Sequence, residues 1–209
     1  MSGPFDRLAA ALAAGPIPRT IGLDRTPRGE RSAAVLMLFT EADDPEVTFV
    51  TRAETLRRHA GQVALPGGAV DPEDGTPFAT ALREAREEIG LEPSRVRLVG
   101  ELPALWVPAS RYDVTTVVAT WPGDHRLWAA DPAETGAVHN FAVSALASPS
   151  TRVTARHPSG YRGPAFVLDD TFIWGLTAHL VDWVLDLAGW ARPWDPGRVV
   201  DIPERFLRD

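Results

Sequence analysis

The segment Arg83-Glu84-Ala85-Arg86-Glu87-Glu88-Ile89-Gly90-Leu91 constrains this chain more than any other. Glu84, Glu87 and Glu88 stand at i, i+3 and i+4. On a helix of about 3.6 residues per turn they share one face within a single turn. Three like charges so close repel and weaken the helix unless something positive faces them. Two readings are open at this level. The cluster is a solvated acidic surface, the ordinary fate of charged helix faces. Or it is an oxygen-ligand face for a hard divalent cation, which for Mg²⁺ means a few carboxylates plus substrate phosphates. The flanks delimit the helix: Thr76 suits the N-cap, Pro77 the first helical position and Gly90 the C-cap. The pattern predicts a helix over 78–89 with Ala79, Leu82, Ala85, Arg86 and Ile89 toward the inner side.

What precedes the cluster separates the two readings. Pro66-Gly67-Gly68 leads through Asp71-Pro72-Glu73-Asp74-Gly75 into this helix. The whole resembles the Nudix box, a glycine, a loop and a helix carrying Arg-Glu-(apolar)-x-Glu-Glu-x-Gly-(apolar). Residues 83–91 match the second half at every fixed position. The first half departs from it. Asp74 stands six residues after Gly68, where the family has Glu, and the eight residues 75–82 separate it from Arg83, one more than usual. One subgroup has this longer loop.

The run Val50-Thr51-Arg52-Ala53-Glu54-Thr55-Leu56-Arg57-Arg58-His59-Ala60-Gly61-Gln62-Val63-Ala64-Leu65-Pro66-Gly67-Gly68 is similar to the signature of the coenzyme A pyrophosphatase branch. Thr51, Arg52, Ala53, Leu56, Arg57, His59, Gly61 and Pro66 to Gly68 match it. Leu65 stands where the branch has Phe, an apolar exchange that bears on packing more than chemistry. The two motifs are contiguous over 50–91, and a weaker likeness extends to residue 180.

The resemblance implies the Nudix fold, an α/β (α+β mixed) architecture with a mixed β-sheet sandwiched between α-helices. It implies Mg²⁺ or Mn²⁺ held by Glu84, Glu87, Glu88 and the Gly68 carbonyl, and a structural ion pair for Arg83. Cleaving a phosphoanhydride needs cations on its oxygens, an oriented water and a base. Close carboxylates would titrate as a coupled set, so which one acts as base stays open. Glu134, in Pro132-Ala133-Glu134, resembles an acid that approaches the metals or the water in this branch; the other reading is a solvated loop residue. Arg52, Arg57 and Arg58 are candidate phosphate forks beside the Gly-rich turn, with Gly67. His59 is a candidate phosphate contact, against the commoner role of satisfying loop backbone. No His has metal-ligand spacing to another His or to the glutamates. Asp113 and Glu101 are lesser candidates. The 157–161 turn, His-Pro-Ser-Gly-Tyr, either covers the pantetheine arm or is a plain hairpin.

The expected reaction splits coenzyme A or its thioesters into 3′,5′-ADP and 4′-phosphopantetheine or its acyl form. The alternatives are another nucleoside diphosphate derivative, ADP-ribose or NADH, and a non-catalytic nucleotide-binding module. The partner is a small molecule. A formal net charge of −7 speaks against nucleic acid. The short apolar run at residues 8–14 is too broken for a signal or a membrane span. No cysteine is present, which excludes disulfides and fits a reducing, cytoplasmic setting. Homodimers are common in the family, so a homodimer is a candidate assembly, without a residue-level signal. The expected organisation is an N-terminal helix and connection over 1–30, the catalytic domain over 31–192 and a surface tail over 193–209. Strands are expected over 32–39, 46–51, 63–65, 96–105, 112–121, 138–143, 152–155 and 166–168, a short helical turn at 144–147, and a long apolar helix within 172–188.

Overall fold

Ser-Ala-Ala-Val-Leu-Met-Leu-Phe is an unbroken apolar run, and a strand of that kind must be covered on both faces. In the computed structural model, which describes residues 5–15, 26–56, 58–108 and 110–207, this run is strand β1 (Ser32–Thr40). Ala34, Leu36 and Leu38 enter one core with Ala81, Ala85 and Ile89 of helix α2 (Pro77–Ile89). Met37 and Phe39 enter a second core with Leu8 and Leu12 of α1 (Asp6–Ala13) and with Leu180, Val181 and Val184 of α4 (Gly175–Ala188). The alternation of side chains along one strand thus places helices on both faces of its sheet.

That sheet runs in the order β3 (Val63–Ala64), β2 (Glu46–Arg52), β1, β6 (Tyr112–Trp121), β5 (Arg97–Val107). β1 and β6 are parallel and β1 and β2 antiparallel, so the sheet is mixed. Off this path, β4 (Gly67–Ala69) pairs with β1 and β7 (Thr135–Ala142) with β2. A second sheet follows the short helix α3 (Val143–Leu146): β10 (Thr171–Ile173), β9 (Arg162–Leu168), β8 (Arg152–Arg156), β11 (Val199–Asp201). The mixed sheet between helices is the expected fold class; the second sheet adds to it.

Three expectations are corrected. The segment after residue 198 is no surface tail: β11 pairs in parallel with β8, and Ile202 and Phe206 are buried. The inner face of α2 is rotated from the expected one, with Thr80, Ala81, Ala85, Glu88 and Ile89 inside and Arg86 exposed. Two alanines one turn apart let the helix lie close to β1 and β4, and this closeness carries Glu88 under cover. β7 begins at Thr135, earlier than expected, because Arg52 at the end of β2 extends the ladder to it.

The local signals at α2 match the expected ones. Thr76 Oγ1 accepts the Ala79 N–H at 3.1 Å, Pro77 opens the helix, and Gly90 closes it in the left-handed region at φ 67°.

Gly67 pairs with Val35 in the β1–β4 ladder at φ 150°. A Cβ there would stand 2.3 Å from the Ala34 carbonyl oxygen and 2.6 Å from the Val35 Cα. Both obstacles are backbone and neither can rotate away. Gly67→Ala is therefore expected to destabilise the fold by roughly 2–4 kcal/mol, combining strain and a disrupted ladder, read as a lowered denaturant midpoint.

Candidate active site

The Gly-rich turn, the 71–74 loop and one face of α2 meet around Arg83. Its guanidinium has five N–H groups, and all five are used. Nε and one Nη2 hydrogen engage the Asp74 carboxylate at 2.9 and 3.0 Å. The Ala69 carbonyl accepts from Nη2 at 3.0 Å. Nη1 donates to Glu84 at 2.9 Å and to Glu87 at 3.3 Å. A planar fork can do this, while an ammonium with three donors cannot. Asp74 also accepts the Asp71 N–H at 2.9 Å and the Thr80 hydroxyl at 2.8 Å, so one carboxylate ties the loop to the first turns of α2. The Arg83 hydrogen bonds, foremost, hold the Asp74 carboxyl well below the usual carboxylate range.

Three environments distinguish the glutamates. Glu87 is open to solvent, its side chain 59% exposed. Glu84 is half-buried, and its carboxyl carbon lies 2.5 Å from where a Cβ on Gly68 would sit. Only glycine lets that carboxylate rest against the turn. Burial, opposed by Arg83 and reinforced by Glu87 and Glu134, raises the Glu84 pKa. Glu88 is 3% exposed and accepts the Gly67 N–H at 3.0 Å. Burial, with the charges of Glu84 and Glu134 adding to it, pushes Glu88 up to about 7, against the Gly67 N–H and Arg52.

Glu134 is exposed, yet its charge is felt at both Glu84 and Glu88. It is brought there from across the sheet. Ala130 N–H donates to the Glu88 carbonyl at 2.9 Å and Trp128 N–H to the Ile89 carbonyl at 3.3 Å, while the Glu134 carbonyl accepts the Ala53 N–H at 2.8 Å. Arg52 sits opposite Thr135 beside a register shift between β2 and β7. Its Nε is buried without a hydrogen-bond partner among the described residues, as is the Thr135 hydroxyl. A buried donor left open beside a carboxylate cluster is a seat for an acceptor such as a phosphate oxygen.

The other candidates separate. Arg58 is exposed on the 53–62 loop, and Arg57 lies outside the described residues. His59 adopts φ 57°, and its carbonyl accepts the Gln62 N–H at 3.1 Å. Asp113 is structural: its carboxylate accepts the Arg28 N–H at 2.9 Å and the Gly29 N–H at 2.5 Å. Glu101 lies in β5, outside this constellation. The open Nε of Arg52 and the anchoring of Glu134 through residues 128–130 had no sequence signal, because both depend on cross-strand contacts.

A model of the NUDIX domain matches residues 30–161. This chain belongs to the Nudix hydrolase family. It is 34% identical over 166 residues to the uncharacterized Nudix hydrolase NudL of Cronobacter sakazakii, covering 76% of this chain and 83% of that protein. With the protein of the same description from Shigella flexneri the identity is 35% over the same coverage. The crystal structure of RenU, a Nudix hydrolase from M. smegmatis, superposes with a TM-score of 0.54 at 17% identity, covering 78% of this chain and 89% of that one, which shows the shared fold. The chain is accordingly an enzyme, a Nudix pyrophosphohydrolase, and Nudix hydrolases generally use divalent metal cations.

The donors present fit such a cation in kind: they are hard oxygens from carboxylates and the Gly-rich turn. Among the described residues, no three acidic or imidazole side chains yet converge on one point. Arg83 Nη1 bridges Glu84 and Glu87.

Two outcomes are expected. Arg83→Lys removes the fork while keeping the charge, and kcat should fall at least about tenfold with the fold retained, read by steady-state kinetics and circular dichroism. For Glu88 the sign is fixed by its raised pKa. The folded state holds a proton up to about pH 7, while the unfolded chain releases it near 4.5. Stability from this group is present at low pH and lost as pH rises between those values. In metal-free protein, the stability of wild type relative to Glu88→Gln should therefore fall from pH 5 to 7.5, by on the order of 2 kcal/mol. Calorimetry at several pH values reads this difference.

Proposed function

We propose that this Nudix hydrolase cleaves the diphosphate of coenzyme A or its thioesters, giving 3′,5′-ADP and 4′-phosphopantetheine or its acyl form, with Mg²⁺ or Mn²⁺. The observation that carries the reading is Arg52, a residue of the 50–68 run that resembles the coenzyme A branch. Its open, buried Nε stands in the neighbourhood of Glu88. The substrate class is nucleotide diphosphate, and the branch-like run supplies the choice of coenzyme A within it.

In this reading Glu84, Glu87, Glu88 and the Gly68 carbonyl would hold the cation, which when bound would supply charge neutralisation on the phosphate oxygens. Arg52 takes a phosphate oxygen at Nε and fixes the diphosphate against the Gly67–Gly68 turn. Arg58 and His59 lie on the same loop, with Arg57 next to them in sequence, and these residues are offered to the nucleotide's remaining phosphate. Glu134, solvent-facing and close to Glu84 and Glu88, orients a water and takes its proton. The water oxygen bonds to phosphorus, the bridging P–O bond breaks, and the leaving phosphate keeps the electron pair. Arg83 takes no part in bond making; it positions Glu84 and Glu87. A cytoplasmic setting belongs to this reading, and a chain without cysteine fits a reducing compartment.

The test is hydrolysis of coenzyme A against 3′-dephospho-coenzyme A with Mg²⁺ or Mn²⁺, products separated by chromatography. Metal-dependent release of 3′,5′-ADP, with kcat/KM at least about tenfold higher for the 3′-phosphorylated form, is expected. Equal or better cleavage of the dephospho form would remove the coenzyme A assignment and leave another nucleoside diphosphate. Cleavage of neither would point to a different diphosphate altogether.

A further inference from the structure

The β8–β9 hairpin and the segment after β11 border an open cavity of about 470 Å³ that the chemistry above does not use. Gln62 Nε2 donates to the Phe206 carbonyl at 3.4 Å, and the Gln62 carbonyl accepts the Arg52 N–H at 2.9 Å. The turn Glu204–Phe206 at the cavity's edge is thereby joined to the strand end that carries Arg52.

The walls define the occupant. Arg156 and Asp201 face each other in a two-bond fork at 2.6 and 2.9 Å and cancel. Arg162 and Glu204 are exposed and of opposite sign, so the lining carries no net charge. His157 Nδ1 accepts the Ser159 N–H at 3.0 Å, which puts the proton of the neutral ring on Nε2 as a donor. The ring is held against Trp174, with centroids 6.2 Å apart and planes at 16°. Pro158, Ile202 and Leu207 supply apolar wall. A balanced lining of this kind gives a phosphate dianion no surplus of positive charge. It matches an uncharged chain with amides and hydroxyls along an apolar stem.

We infer that this cavity seats the amide-bearing pantetheine arm of the substrate, with His157, Arg162 and Glu204 as its polar contacts. The inference rests on the coenzyme A reading and extends it from the diphosphate to the far end of the molecule. The arm then contributes binding energy remote from the reacting phosphorus, and selectivity for the thiol-bearing half lies in the C-terminal third of the chain.

The experiment compares coenzyme A with a truncated form in which a methyl ester replaces pantetheine on 3′-phospho-ADP. Wild type should favour the full substrate by about tenfold or more in kcat/KM. Arg162→Trp and Glu204→Trp, both at exposed positions, fill the cavity and should bring the two values together, chiefly by raising KM for coenzyme A. Thermal unfolding of each variant reports its fold. Free pantetheine should inhibit wild type competitively and lose that effect in both variants. If wild type cleaves coenzyme A but shows no preference over the truncated form, or if both variants keep the preference, the arm site is overturned while the coenzyme A reading stands. If wild type cleaves neither, that reading fails and the arm site fails with it.

Discussion

One guanidinium makes this site's charge arrangement tolerable. Glu84 and Glu87 share a helix face with Glu88, and a fourth acid, Glu134, acts on two of them from across the sheet. Without a counter-charge such a cluster would splay its side chains or melt the helix. Arg83 spends every donor on the problem. It clamps Asp74 with one edge, reaches the turn at Ala69, and lies between Glu84 and Glu87. The loop conformation and the glutamate positions are consequently one property.

The site's precision comes from packing beneath it. β1 is buried on both faces, so its position is fixed by two cores at once. β4 pairs directly with β1, and α2 lies against both. The two glycines divide the labour. Gly67 meets backbone on its strand side, and Gly68 meets the Glu84 carboxylate on the helix side. The turn is a spacer of minimum thickness between a rigid ladder and a charged helix. That thinness is what brings a backbone N–H within 3.0 Å of a carboxylate that is 3% exposed.

Much of this was legible in the sequence. The spacing of Glu84, Glu87 and Glu88, with Thr76, Pro77 and Gly90 as punctuation, defined the helix, because capping and periodicity are local properties. The strands of the first sheet were legible for the same reason, as apolar runs between turns. What stayed hidden depends on contacts between distant segments. The inner face of α2 is not legible because Arg86 and Glu88 are alike polar in sequence; which of them is buried is decided by where β4 stands. Val-Val-Asp at 199–201 is too short to declare itself a strand, and only the open edge of β8 makes it one. Arg52 reads in sequence as a candidate phosphate fork at a strand end, and its open Nε appears only in the folded chain, where it stands opposite Thr135 of β7.

The attachment of residues 128–130 to the end of α2 has a consequence for how such a chain can vary. Glu134 is separated from Glu88 by the whole β5–β6 hairpin, yet its position relative to that helix does not depend on the hairpin's length. It hangs from the Glu88 and Ile89 carbonyls through Ala130 and Trp128, and from Ala53 on the other side. Trp128 covers Gly90 as it passes, so the end of the helix is both anchor and lid for this strap. The hairpin can lengthen, shorten or change its outer surface while the fourth acid keeps its station. Sequence freedom in the intervening stretch and geometric constancy at the acids are thus compatible.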